Sequence, residues 1–196
     1  ELAKEIVGIF AEDISKNVLD SIVENAYRDF DHPDVVCLEA VENIHVLELF
    51  HGPTLAFKDI ALQLLGGLFT EVLGQTNEHL NILGATSGDT GSAAIAAIRG
   101  RPNMDIFIMY PDNKISPLQE LQMTTNLDPN VHCIAIKGSF DDCQNLMKNI
   151  FGDLDFKRDL RLGAINSVNW ARVMAQVIYY GYISLRFSDG CCFSVP

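Results

Sequence analysis

Leu80-Asn81-Ile82-Leu83-Gly84-Ala85-Thr86-Ser87-Gly88-Asp89-Thr90-Gly91-Ser92-Ala93-Ala94-Ile95-Ala96-Ala97-Ile98-Arg99 joins a short apolar run to a run of small and apolar residues through a polar, glycine-rich break. Leu80 to Ala85 reads as a short strand, and Gly91 to Arg99 reads as a helix of small residues. The same alternation continues with a strand at Asp105 to Tyr110, a helix at Pro117 to Met123, a strand at Val131 to Ile136 and a helix at Asp141 to Phe151. Strands alternating with helices predict an α/β fold of mostly parallel sheets flanked by helices. A short segment at Leu162 to Ile165, a long apolar helix from Asn169 to Phe187 and a strand at Cys191 to Val195 complete the downstream part.

Upstream, apolar residues at helical spacing from Ile6 to Phe30 break near Glu12 to Ser15 and predict two short helices. Asp31-His32-Pro33-Asp34 ends the second, because proline lacks an amide donor and restricts the residue before it. A loop follows, then a strand at His45 to Phe50, a turn at Gly52-Pro53 and an apolar helix from Asp59 to Leu73. Lys58 therefore falls at a strand-loop-helix junction.

Three junctions carry residue types suited to chemistry. In His51-Gly52-Pro53-Thr54-Leu55-Ala56-Phe57-Lys58-Asp59, a lysine at a helix start feels the positive end of the helix dipole, which disfavours its ammonium form. Apolar neighbours would add to this and yield the neutral amine that attacks an aldehyde to form an imine. Spacing alone leaves a second reading open, with Lys58 in solvent and Asp59 as the helix cap. In Gly84 to Ser92, glycines permit close backbone approach and first-turn amides suit a carboxylate or a monophosphate. That segment matches neither the phosphate loop nor the dinucleotide fingerprint, and Ser87, Asp89 or Thr90 as a simple helix cap remains open. In Asn166-Ser167-Val168-Asn169-Trp170-Ala171-Arg172, an arginine in the first turn of a helix capped by Ser167 or Asn169 calls for a nearby anion. A forked contact to a phosphate shared with Asn166 and Ser167 meets that need, and a surface arginine paired with a carboxylate is the other possibility.

Fourteen Lys and Arg against twenty-six Asp and Glu give a formal charge of -12, which opposes binding to nucleic acid or anionic membrane. A small anionic ligand held by local amides is still compatible with it. The odd number of cysteines (Cys37, Cys133, Cys143, Cys191 and Cys192) without Cys-x-x-Cys spacing reads as reduced thiols. The five histidines form no metal-ligand spacing, so no metal is expected. No apolar run approaches membrane-spanning length, and the first residues are not those of a secretory leader. The chain lacks an initiator Met, so residue 1 is not expected to be the natural start. Neither composition nor motif distinguishes a monomer from a homodimer.

Taken in order, Glu48 to Asp59, Ala85 to Ala93 and Asn166-Ser167 with Arg172 resemble three motifs of the threonine synthases of the long bacterial and fungal type. The resemblance extends over essentially the whole chain. It implies fold type II of the pyridoxal-phosphate enzymes, similar to tryptophan synthase β, in a cytoplasmic enzyme of threonine biosynthesis. By this resemblance Lys58 is the catalytic lysine that carries pyridoxal 5'-phosphate as an imine, and Asp89 is a second cofactor contact, where many relatives of the same fold have Asn. Thr86, Ser87 and Thr90 belong to the loop that holds the substrate carboxylate, and Asn166, Ser167 and Arg172, with Thr90 and the lysine, grip the phosphate of O-phosphohomoserine. The implied reaction converts O-phosphohomoserine and water to threonine and phosphate. Alternatives are a related lyase or dehydratase of another hydroxy or phosphohydroxy amino acid, and a non-catalytic threonine-synthase-like binding protein. The implied division is 1–79 with the cofactor lysine, 80–164 as a smaller α/β domain and 165–196 as the start of the larger cofactor domain. In the family a Thr-Gly-Asn-Phe-Gly type loop cradles the cofactor phosphate, and other groups meet the pyridine nitrogen. These lie outside the 196 residues, so this stretch alone is expected to be an incomplete catalyst.

Overall fold

The computed structural model describes residues 1–166 and 169–187. Ser167 and the strand expected at Cys191 to Val195 lie outside the described residues.

Four parallel strands form the central sheet: β3 (Leu80–Ala85), β4 (Met104–Pro111), β5 (Val131–Ile136) and β6 (Leu162–Ala164). Their spatial order is β5-β4-β3-β6. Alternate residues of the inner strands face opposite layers, as the pleat requires. Ile82, Ile106, Ile108 and Tyr110 share a core with α3 (Lys58–Thr76), α4 (Asp89–Ile98) and α5 (Pro117–Thr124). Leu83, Phe107 and Met109 pack on the other face with Cys143, Met147 and Ile150 of α6 (Phe140–Gly152). The α3–α4 contact is close: a side chain at Gly66 would meet the Ala97 carbonyl oxygen at 2.4 Å, and the alanine-rich sequence of α4 permits that approach.

The outer side of α3 is covered by α1 (Leu2–Phe10), α2 (Lys16–Tyr27) and α8 (Trp170–Arg186), through a cluster that includes Val7, Ile22, Leu64 and Met174. The two short N-terminal helices expected from periodicity are present. Two elements are additions to the sequence expectations. The loop after Pro33 contains β1 (Cys37–Val41), which pairs antiparallel with β2 (Ile44–Glu48). This hairpin is mostly exposed on both faces, so it lacks the apolar alternation that marks a strand in sequence. A short α7 (Leu154–Asp159), capped by Asp153, occupies residues otherwise read as connection. Among the described residues no helix is long and apolar enough to cross a membrane.

The order β5-β4-β3-β6 has a functional consequence. From β3 the chain builds outward through β4 to β5, then returns to place β6 on the other side of β3. Strand order therefore reverses at β3, and ligands of open parallel sheets bind beyond the carboxyl ends of strands at such a switch point. The residues leaving those ends are Thr86 to Thr90 after β3 and Ile165-Asn166 after β6.

Candidate active site

At the switch point lies a cavity of about 610 Å³ lined by Lys58, Thr86, Ser87, Gly88, Asp89, Thr90 and Asn166, with Gln119 from α5 and Phe140, Gln144, Met147 and Lys148 from α6. Six of the eight residues expected from sequence thus meet around one space. Arg172 is outside this lining, and Ser167 is outside the described residues.

Lys58 is the first residue of α3, and its side chain is only 16% exposed. Its Nζ lies 4.4 Å from the centre of the Phe57 ring and 3.4 Å from Asp89 Oδ2. The solvent alternative therefore fails, although desolvation is not supplied as the sequence suggests. Leu55 is 66% exposed, and Phe57 works through its ring face against the ammonium.

Asp59 is not the cap of α3. The N-cap position is Phe57, without a side-chain cap bond, and the fully buried Asp59 carboxylate reaches back over the preceding loop. Its Oδ2 accepts from the Thr54 amide at 2.8 Å and the Ala56 amide at 3.5 Å, and its Oδ1 accepts from Thr54 Oγ1 at 2.7 Å. Gly52 is glycine because a Cβ there would lie 2.4 Å from the Asp59 Cβ. Burial raises the Asp59 pKa, and the Thr54 and Ala56 hydrogen bonds and the Lys58 charge oppose the rise without cancelling it. This staple fixes the loop that delivers Lys58.

The loop after β3 is organised from within. Thr86, 3% exposed, uses its hydroxyl three times: Oγ1 accepts from the Gly88 amide at 3.0 Å and the Gly91 amide at 3.1 Å, and donates to the Gly88 carbonyl at 3.1 Å. The α4 N-cap is Gly88, with no side-chain cap bond, so the simple-cap reading of Ser87, Asp89 or Thr90 is overturned. Ser87 and Asp89 are exposed at the cavity, and Thr90 is half-buried there.

Asn169 caps α8, accepting from the Arg172 amide at 3.3 Å. Arg172 is 3% exposed, and its Nη1 has no hydrogen-bond partner among the described residues. The surface-arginine alternative is thus corrected. Burial lowers the Arg172 pKa, yet a guanidinium stays charged across ordinary pH. A buried cationic donor without a partner is costly, and an anion beside α8 would relieve that cost.

His51 braces the lysine segment against the hairpin and the loop that follows α2. Its Nδ1 lies 2.7 Å from Asp31 Oδ1 and its Nε2 lies 3.0 Å from Glu48 Oε2. Burial lowers its pKa, but the bonds to Asp31 and Glu48 outweigh burial and the net shift is upward. A raised histidine stabilises the fold most fully below the ordinary value near 6.5, and that contribution is lost as pH rises through the raised value. Thermal midpoints across this range are expected to fall with rising pH, and His51→Ala is expected to remove that component of the slope. An unchanged slope would count against the brace.

Sequence motifs do not single out Gln119, Gln144 or Lys148. They sit in ordinary helices and reach the cavity only through the packing of α5 and α6. Gln144 Nε2 donates to the Ala85 carbonyl at 3.4 Å, which ties α6 to the end of β3.

No protein-family model matches the sequence. A threonine synthase from Schizosaccharomyces pombe is 49% identical over 212 residues, covering 100% of this chain and 41% of the relative. A threonine synthase from Pseudomonas aeruginosa is 50% identical over 201 residues, covering 100% of this chain and 43% of the relative. The crystal structure of threonine synthase from Brucella melitensis with PLP bound superposes with a TM-score of 0.90 at 49% identity, over 94% of this chain and 40% of that one. The chain belongs to the threonine synthase family. It spans about two fifths of the length of the relatives it matches. Its architecture is that of the fold type II enzymes, represented in part.

Proposed function

We propose that this chain supplies the reactive lysine and the substrate loops of a pyridoxal-phosphate-dependent threonine synthase, which converts O-phosphohomoserine and water to threonine and phosphate. The observation that carries the reading is the convergence of Lys58, the 86–90 loop and Asn166 on one cavity at the switch point of the sheet.

The residues present suit the cofactor. A sheltered lysine amine, an adjacent carboxylate and a glycine-rich loop face a space large enough for a small aromatic ring and an amino acid. When bound, pyridoxal phosphate supplies an electron sink that renders the α hydrogen of an amino-acid substrate acidic. Lys58 would hold the cofactor covalently and, once released by the substrate amine, move a proton at Nζ. Asp89 would steady the Lys58 ammonium and face the cofactor. Ser87, Thr90 and the loop amides would orient the substrate carboxylate, with Thr86 shaping the loop because its hydroxyl is already engaged. Asn166, Ser167 and Arg172 would receive the substrate phosphate. The α6 side of the cavity, with Phe140 and Met147, would limit water around the reacting centre. The substrate is a small molecule, and the expected compartment is the cytoplasm.

The test uses the full-length protein with the cofactor and O-phosphohomoserine, measuring threonine and inorganic phosphate together. Equal yields support the reading, whereas a keto acid without threonine would assign a dehydratase. Arg172→Ala is expected to raise KM for the phosphorylated substrate by roughly 10- to 100-fold, the scale of hydrogen bonds to a charged group. An unphosphorylated competitive analogue should lose far less affinity. Equal losses for both would sink the phosphate assignment.

A further inference from the structure

We propose that Gln119 is a positioning residue of this site: its side-chain amide fixes the Asp89 carboxylate so that one oxygen stays turned toward Lys58. The inference rests on the reading of Lys58 and Asp89 as site residues and adds a residue to it.

Gln119 Nε2 donates to Asp89 Oδ1 at 2.6 Å, while Asp89 Oδ2 accepts from Lys58 Nζ at 3.4 Å. Asp89 is half exposed and begins α4, and among the described residues the hydrogen bonds of its carboxylate go to Lys58 and Gln119, both outside its own helix. Gln119 is held more firmly. Ser116 caps α5 by accepting from the Gln119 amide at 3.2 Å, and Pro117 occupies the first turn of that helix. The start of α5 therefore aims one side chain at the loop after β3.

Gly88 shows how closely that side chain is seated. A Cβ at residue 88 would stand 2.5 Å from both Cδ and Nε2 of Gln119, and the backbone there has φ +156°. The glycine thus admits the amide onto the loop. One oxygen of Asp89 is bound to an uncharged donor and the other is left for the lysine. Without the amide, an exposed aspartate would divide its time among solvent rotamers and hold the Lys58 ammonium less well.

The test is a double-mutant cycle in the full-length protein with Gln119→Leu, Asp89→Asn and the pair. Gln119→Met serves as a second variant that keeps the length without the donor. Two quantities are read. One is kcat/KM of the cofactor-loaded enzyme. The other, in cofactor-stripped protein, is the rate at which trinitrobenzenesulfonate modifies Lys58 at one fixed pH, followed by peptide mass. Gln119→Leu and Gln119→Met should each lower kcat/KM by about tenfold, the scale of one hydrogen bond to a charged group, and should speed Lys58 modification several-fold. The pair should be no worse than Asp89→Asn alone in either readout. Additive losses, or a Lys58 rate unmoved by Gln119→Leu and Gln119→Met, would overturn the positioning role. If Asp89→Asn itself moved neither quantity, the placement of Asp89 in the site would fall first.

Discussion

Lys58→Ala in the full-length protein is expected to lower kcat by roughly 10³-fold, within the range for one positioned acid-base group, while leaving the fold intact. The fold should survive because, among the described residues, Lys58 makes only a 3.4 Å pair with Asp89 and a contact with the Phe57 ring. Lys58→Arg separates chemistry from electrostatics. Arginine retains a cation near Asp89 and the ring, but a guanidinium does not become a neutral nucleophilic amine. Arg and Ala should therefore be nearly equally inactive, with steady-state kinetics as the check. Substantial activity in the Arg variant would reduce Lys58 to a charge partner.

Asp59→Ala is expected to cost roughly 2–4 kcal/mol of stability, because it removes a fully buried carboxylate that holds the half-buried Thr54 amide and hydroxyl and opens space beneath the lysine loop. Asp59→Asn should cost far less, about 1 kcal/mol or below. Its carbonyl oxygen can take the place of Oδ2 toward the Thr54 and Ala56 amides, and its NH₂ can donate to Thr54 Oγ1, which then acts as acceptor. The pH dependence separates the two further. Asp59 has a folded pKa above its ordinary value, raised first by burial. The wild type therefore loses stability as pH rises from the ordinary carboxylate value through the raised one. Asp59→Asn has no such loss and should gain on the wild type across that window. Urea titrations at several pH values, read by tryptophan fluorescence, would check both statements.

The parts of this fold legible in sequence were those whose local pattern matched their tertiary setting. The strands at 80–85, 104–111 and 131–136 carry the apolar runs of a sheet flanked by helices, and the small residues of 91–99 read as a helix. The hairpin strand at 37–41 did not show itself, because exposure on both faces removes the pattern by which strands are recognised. At the site, the glycines and hydroxyls of 84–92 pointed to a bound anion. They could not show that Thr86 spends its hydroxyl inside the loop, since that depends on the turn it closes. The burial of Arg172 and Asp59, and the arrival of Gln119 from a helix thirty residues downstream, arise from packing between elements. No spacing encodes them. Lys58 joins the two cases: its segment was recognisable as a motif, while its partners Asp89 and the Phe57 ring face emerged from the fold.

The most direct measurement is to add pyridoxal phosphate to the full-length protein, follow the visible absorption band of a lysine-bound cofactor, reduce with borohydride and map the labelled peptide. The label is expected on Lys58 in a 1:1 ratio with protein, and Lys58→Ala should abolish both the band and the label. A label on Lys148 or any other lysine, or a band that persists in Lys58→Ala, would contradict the central assignment.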